Sequence, residues 1–146
     1  MGKKIALPCM CASVRRASRV LTQIYDRAMR PLGLRSTQFS ILQALSKTGN
    51  ILQGDLAEFL ALDNTAMTRA VQLLRKRAWI KVVQGKDRRE RWLSLSKSGE
   101  AELARLQSAW ETVQRDVHLR LGEKRWNNLF QLSTEVANLP VDGKKE

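Results

Sequence analysis

Residues 62–95, LDNTAMTRAVQLLRKRAWIKVVQGKDRRERWLSL, read as a short helix followed by a two-stranded ribbon, and that reading decides the fold. Asp63 suits an N-cap, because its carboxylate can accept from the free amides of the first helical turn. Beyond it, Met67, Ala70, Val71, Leu74 and Ala78 recur at helical spacing on one side. The opposite side carries Thr65, Thr68, Arg69, Gln72 and Lys76, with Asn64 at its start and no acid anywhere. A merely solvated face usually mixes both signs of charge. Hydroxyls, amides and cations without acids are the groups that donate to phosphates and read base edges in a major groove.

The ribbon follows at once. Residues 80–84 and 91–95 are short and rich in β-branched or apolar side chains, and GKDRRE between them is turn material. Ile80 and Val82 share one face, and Leu93 and Leu95 another, so each strand can bury a side. The tip then projects Lys86, Arg88 and Arg89, and a narrow minor groove attracts inserted arginine. Asp87 has two readings: an ion-pair partner that aims Arg89, or the residue that starts the turn.

Charge distribution agrees with this placement. The 146 residues carry a formal charge of +12. Residues 1–35 hold eight Lys/Arg and one acid, and residues 64–91 hold nine and two. Residues 36–63 hold one and three, and residues 92–146 eight of each. Positive charge in two blocks with a neutral C-terminal third suits a nucleic-acid partner better than general solubility. The length suits one ordinary domain, or a small one with an oligomerisation element. No apolar run is long enough for a transmembrane helix. The segment KKIALPCMCASV only faintly imitates a signal peptide, since Pro8 interrupts it and arginines follow directly. Two cysteines make no disulfide framework, so the expected compartment is the cytoplasm.

Outward from the central stretch, residues 11–30 read as a helix with Val14, Ala17, Leu21, Ile24 and Ala28 in a seam. Arg15, Arg16 and Arg19 crowd its first turns against the helix dipole. Pro31-Leu32-Gly33-Leu34 ends it, and Ser36 is offered as the cap of a second helix with Phe39, Ile41, Leu42 and Leu45 inward. Thr48-Gly49-Asn50 makes a turn, and a third helix over residues 53–60 turns Leu56, Ala57, Phe59 and Leu60 inward. Two short helices with the second basic, then a ribbon, make a winged helix-turn-helix. Ser96-Lys97-Ser98-Gly99 reads as another turn, before a long helix to Leu121 with Leu103, Leu106, Trp110, Val113 and Val117 at heptad spacing. Gly122 breaks it. A last helix over residues 123–138 offers Trp126, Leu129, Phe130, Leu132, Val136 and Leu139 for burial, and Lys144-Lys145-Glu146 forms a loose tail.

The expected class is therefore mainly α with a small β-ribbon: a winged helix-turn-helix plus N- and C-terminal dimerisation helices. Residues 1–35 form the N-terminal segment and dimerisation helix, 36–97 the DNA-binding domain, and 98–146 the C-terminal dimerisation helices and tail. The terminal helices hold more apolar surface than a small winged helix can cover, which predicts a homodimer.

The ordered set of residues resembles the MarR family of bacterial transcriptional regulators. Gly33-Leu34, Gln38-Phe39 and Leu42-x-x-Leu45 look like its second helix, and Asp55-Leu56-Ala57 with Leu60 like its third. Leu62-Asp63-x-Thr65-x-x-Thr68-Arg69-x-Val71 is similar to its recognition helix. Asp87-Arg88-Arg89 followed by Leu93-x-Leu95-Ser96-x-x-Gly99 looks like its wing and exit. The resemblance implies a homodimeric winged-helix protein, most often a repressor of a pseudo-palindromic operator. It implies double-stranded DNA as partner, release by a small phenolic or lipophilic ligand or by cysteine oxidation, no cofactor and no membrane. Two positions depart from the pattern: Ala78 stands where the family usually has glycine, and Asn64 where it often has a basic residue.

For DNA contact the candidates are Asn64, Thr65, Thr68, Arg69, Gln72, Lys76, Lys86, Asp87, Arg88 and Arg89. For the trigger there are two sets. Cys9 and Cys11 lie at the first turn of the first helix with Arg15 one turn on, a setting that favours oxidation. Quiet packing is the alternative. The family's hydroperoxide-sensing branch also has an N-terminal cysteine but surrounds it with tyrosines, and Tyr25 is the only tyrosine here. Zinc needs four ligands, and Cys-x-Cys with distant His118 supplies too few in one chain. The resemblance places a ligand pocket between the dimer helices and the winged helix, with Tyr25, Met29 and Trp110 as candidate walls. No glycine-rich phosphate loop, catalytic carboxylate pair or nucleophile motif points to an enzyme. The competing reading is a winged-helix protein-interaction module or a nonspecific DNA coat.

Overall fold

The computed structural model describes residues 5–6 and 8–141; the C-terminal Lys144-Lys145-Glu146 segment lies outside them. The chain forms two compact units, Met1–Trp110 and Glu111–Glu146.

In the first unit, α1 (Met10–Met29) runs into a 3-10 turn at Arg30–Leu32. Then come α2 (Ser36–Thr48), β1 (Ile51–Leu52), α3 (Gln53–Phe59) and α4 (Asn64–Lys76). The strands β2 (Ile80–Gln84) and β3 (Arg91–Leu95) lead into α5 (Lys97–Leu121), whose second half enters the other unit with α6 (Glu123–Ala137). The class is therefore mainly α with a small antiparallel sheet, ordered β1-β3-β2.

One apolar core holds the first unit. Phe39, Ile41, Leu42 and Leu45 of α2 meet Leu56 of α3, Met67, Val71 and Leu74 of α4, Ile80 and Leu93 of the sheet, and Leu106 of α5. Burying large aliphatic side chains is worth about 1.5–3 kcal/mol each. The register pairs Ile80 with Leu95 and Val82 with Leu93. These four therefore share one face of the ribbon, not the two separate faces expected.

Several local devices differ from the sequence reading. Ser36 does not cap α2 but is its first residue. Its N–H and Oγ–H both donate to Asp26 Oδ1 at 2.8 Å, so a carboxylate of α1 satisfies the start of α2. Burial alone would raise the Asp26 pKa. The two Ser36 hydrogen bonds, with Arg30 and Arg35 nearby, outweigh it and hold the carboxyl below its ordinary value. β1 was not anticipated; it exists because Ile51 and Leu52 pair with Leu93 and Trp92. Phe59 is 70% exposed rather than inward, because α3 ends there. Residues 97–99 belong to α5, and Ser96 caps it by accepting the Gly99 N–H at 3.0 Å.

Both helices of the helix-turn-helix leave through left-handed alanines. Ala61 has φ +51° and Ala78 φ +59°. In each exit two backbone bonds close a Schellman motif: Ala61 to Glu58 with Leu62 to Ala57, and Ala78 to Arg75 with Trp79 to Leu74. Ala78 thus does not continue the helix, and it is exposed. A Cβ in this conformation is strained, and glycine relieves it. Ala78→Gly should therefore raise stability by about 0.5–1 kcal/mol, read as a higher urea midpoint at unchanged slope.

In the second unit, Val113 and Val117 are buried, and Gly122 turns the chain with φ +79°. His118 Nε2 lies 2.7 Å from Glu123 Oε2, and its ring stacks on Trp126 at 4.8 Å. Hydrogen bonds from Asn127 and His118 hold the Glu123 carboxyl below its ordinary value. Of the α6 side chains offered for burial, only Trp126 is partly covered. Leu129, Phe130, Leu132 and Val136, with Leu139 beyond the helix, are exposed in the single chain.

Candidate nucleic-acid interface

α4 is set by its cap and its core face. Asp63 Oδ1 accepts the Ala66 N–H at 2.7 Å, as expected of an N-cap. Met67, Val71 and Leu74 anchor the helix in the core. At about 100° per residue, Asn64, Thr65, Thr68, Arg69, Gln72 and Lys76 then span an arc of roughly 140° outside the core face, with Asn64 at the edge nearest Val71. All are exposed except Thr68, which is half-buried. Arg75, absent from the sequence-based set, falls on the same arc and is exposed.

The structure adds a support beneath this face. Gln53 Nε2, at the start of α3, donates to Thr68 Oγ1 at 3.4 Å. The Thr68 hydroxyl hydrogen is then free to point outward, as a donor. The buried Gln53 Oε1 has no hydrogen-bond partner. Behind the helix end, Arg77 Nη1 donates to the Gly33 carbonyl at 2.6 Å, and its guanidinium lies 4.8 Å from the Trp79 ring centroid. Arg77 therefore locks α4 to the connection between α1 and α2. No sequence pattern identifies it, because its partners lie outside the helix.

At the wing tip Lys86, Asp87, Arg88 and Arg89 are all exposed. Gly85 N–H donates to the Glu90 carbonyl at 2.9 Å, and Glu90 N–H to the Asp87 carbonyl at 3.0 Å. Asp87 Oδ1 accepts the backbone N–H of Arg89 at 2.9 Å. Asp87 thus builds the turn, and the ion-pair reading in which it aims the Arg89 guanidinium is set aside. Among the described residues, no ion pair engages Arg69, Arg75, Lys76, Lys86, Arg88 or Arg89. Two adjacent elements therefore present unneutralised cations and donors to solvent.

The remaining candidates separate. Met29 is completely buried in the core of the first unit. Tyr25 is half-buried, and burial raises its pKa. Trp110 packs on Phe39, with ring centroids 6.2 Å apart, and lines a cavity of about 540 Å³ with Lys47, Phe59, Leu60, Leu103 and Gln107. Tyr25 and Met29 do not line that cavity. Cys9 and Cys11 are both exposed, which removes the quiet-packing alternative for the single chain. Arg15 Nη2 donates to Cys11 Sγ at 3.2 Å. No cluster of three or more metal-ligating side chains occurs among the described residues. Among them, too, no helix is long and apolar enough to cross a membrane.

Comparison with known proteins gives a consistent picture. A family model described as MarR family matches residues 32–90. The transcriptional regulator MosR of M. tuberculosis, in a crystal structure with DNA, is 32% identical. Its alignment covers 90% of this chain and 99% of that one, with a TM-score of 0.72. An uncharacterised HTH-type transcriptional regulator, YwoH of Bacillus subtilis, is 28% identical over 87 residues, 60% of this chain. That match spans 64% of YwoH, a little under two thirds of its length. A mutant MarR from E. coli complexed with operator DNA is 20% identical, with a TM-score of 0.76 over 90% of this chain and 94% of that one. At that identity the likeness speaks to the fold alone.

Proposed function

This chain belongs to the MarR family of winged-helix transcriptional regulators, and on that premise we propose that it is a homodimeric repressor that binds a pseudo-palindromic DNA operator. The observations that carry the reading are the acid-free face of α4 and the unpaired cations of the wing tip. Two copies of α4 enter successive major grooves about 34 Å apart. Thr68, Arg69, Gln72 and Lys76 reach base edges and phosphates, and Asn64 and Thr65 lie at the helix start, where reading helices approach the bases. Lys86, Arg88 and Arg89 reach the flanking backbone and minor groove, with Asp87 fixing the turn that carries them.

The dimer is supported by α6, whose Phe130, Leu132 and Val136 are each more than half exposed in the single chain. Effector release is supported by the cavity beside Trp110, whose volume suits a small phenolic or lipophilic molecule and whose walls set Phe59, Leu60, Leu103 and Trp110 beside polar groups such as Lys47 and Gln107. The second release route is oxidation of Cys9 or Cys11 by peroxide, which forms a sulfenic acid while the peroxide is reduced to water. If so, peroxide should release DNA from the wild type and not from Cys9→Ser/Cys11→Ser. Equal release from both would remove the thiols from the mechanism.

A nonspecific DNA coat is separated from a regulator by the specificity ratio. Affinity for a duplex from the protein's own upstream region should exceed that for a shuffled duplex by about 10³ or more at physiological salt. Equal affinities would favour the coat.

A further inference from the structure

α1 carries Arg15, Arg16, Arg19 and Arg27, and Arg30 follows as its C-cap; all five are exposed. At about 100° per residue the five fall within roughly one third of the helix circumference, along about 22 Å of its length. The one acid of α1, Asp26, is buried and engaged by Ser36, and its Oδ2 lies 3.9 Å from Arg30. Arg15 touches Cys11 Sγ, and Arg16 approaches the Ile5 carbonyl at 3.4 Å. Among the described residues, no ion pair engages Arg15, Arg16, Arg19 or Arg27.

This arrangement works against the helix that bears it. Arg15 and Arg19 are a like-charge pair one turn apart, as are Arg16 with Arg19 and Arg27 with Arg30. Every cation of α1 is arginine, whose fork suits bidentate anions. No large apolar side chain stands within the stripe, where Gln23 and the buried Asp26 lie among the arginines. A protein partner would need apolar anchors at the centre of its contact. A row of phosphates needs only charge and donors.

We infer that the arginine stripe of α1 is a second nucleic-acid surface, separate from α4 and the wing, that takes the phosphodiester backbone of duplex DNA. The inference rests on the DNA-binding reading above. The probe is a duplex selected by the wild-type protein from a randomised library, with affinity measured against NaCl concentration. The variant is Arg16→Gln/Arg19→Gln/Arg27→Gln, which spares the Cys11 and Asp26 contacts. Its slope of log K against log[NaCl] should be shallower by about 0.9 for each phosphate that is no longer neutralised, with at least a tenfold weaker complex at low salt. A control, Lys124→Gln/Arg125→Gln on α6, should keep the wild-type slope. If the triple variant folds poorly, Arg19→Gln alone should lower the slope by about 0.9 per protomer. A folded variant with the wild-type slope overturns the inference. So does a variant that loses affinity for polyglutamate while keeping its DNA slope, which would assign the stripe to an acidic protein. A wild-type protein that selects no duplex overturns the parent reading and this inference together.

Discussion

Gly99→Ala should destabilise the first unit by about 3 kcal/mol, a large share of the roughly 5–15 kcal/mol that holds a domain folded. A Cβ at this position would overlap the Trp79 carbonyl oxygen and press on Leu95 Cδ2. The first neighbour is backbone and is already committed, since Trp79 O accepts the Ser96 N–H at 3.0 Å. The strand cannot simply retreat, because Ser96 and Ser98 hydroxyls also hold the Ala78 carbonyl, each at 2.6 Å. Three features thus meet within a few residues: the exit of α4, the foot of the wing, and the cap of α5. Only glycine permits that approach. Urea denaturation of the variant should show a large fall in midpoint, and DNA binding should fall with it. A variant with wild-type stability would mean that the approach of α5 to Trp79 is not rigid.

Arg89→Ala should weaken operator binding by about 1–3 kcal/mol for each protomer, roughly five- to a hundred-and-fiftyfold, while the melting temperature stays unchanged. The two halves of this expectation have separate causes. The side chain is exposed and in no ion pair among the described residues, so its removal costs the fold nothing. Its backbone N–H, which the substitution preserves, still donates to Asp87 Oδ1, so the tip keeps its shape. Affinity measured by fluorescence anisotropy alongside a thermal melt checks both halves. Unchanged affinity would exclude Arg89 from the interface, and a lowered melting temperature would give it a structural role instead.

What the sequence made legible was local. The Asp63 cap, the apolar spacing of α4 from Met67 to Leu74 and the two strands of the wing depend on neighbours a few residues away, and these appear at the expected positions. What it hid was tertiary. β1 is two residues long and exists only through β3. The cap of α2 comes from Asp26, ten residues upstream. Phe59 continues the apolar pattern of α3, yet the left-handed turn at Ala61 ends the helix before that residue can face inward. Ala78 shows the same effect: alanine gives no exit signal, and the backbone bonds impose the exit nevertheless. For the interface, the polar face of α4 and the basic tip could be read from charge and period. The Gln53 support beneath Thr68 and the Arg77 lock could not, because each joins two elements distant in sequence. The role of Asp87 lay between these cases, since a short-range turn and an ion pair need the same residue.

Guanine-N7 methylation interference on a selected operator tests the paired-groove reading most directly, because N7 lies in the major groove. The expected pattern is two patches of interference centred about 10–10.5 base pairs apart, each abolished or moved by Gln72→Ala or Arg69→Ala. A single patch, or binding indifferent to major-groove methylation, would contradict it.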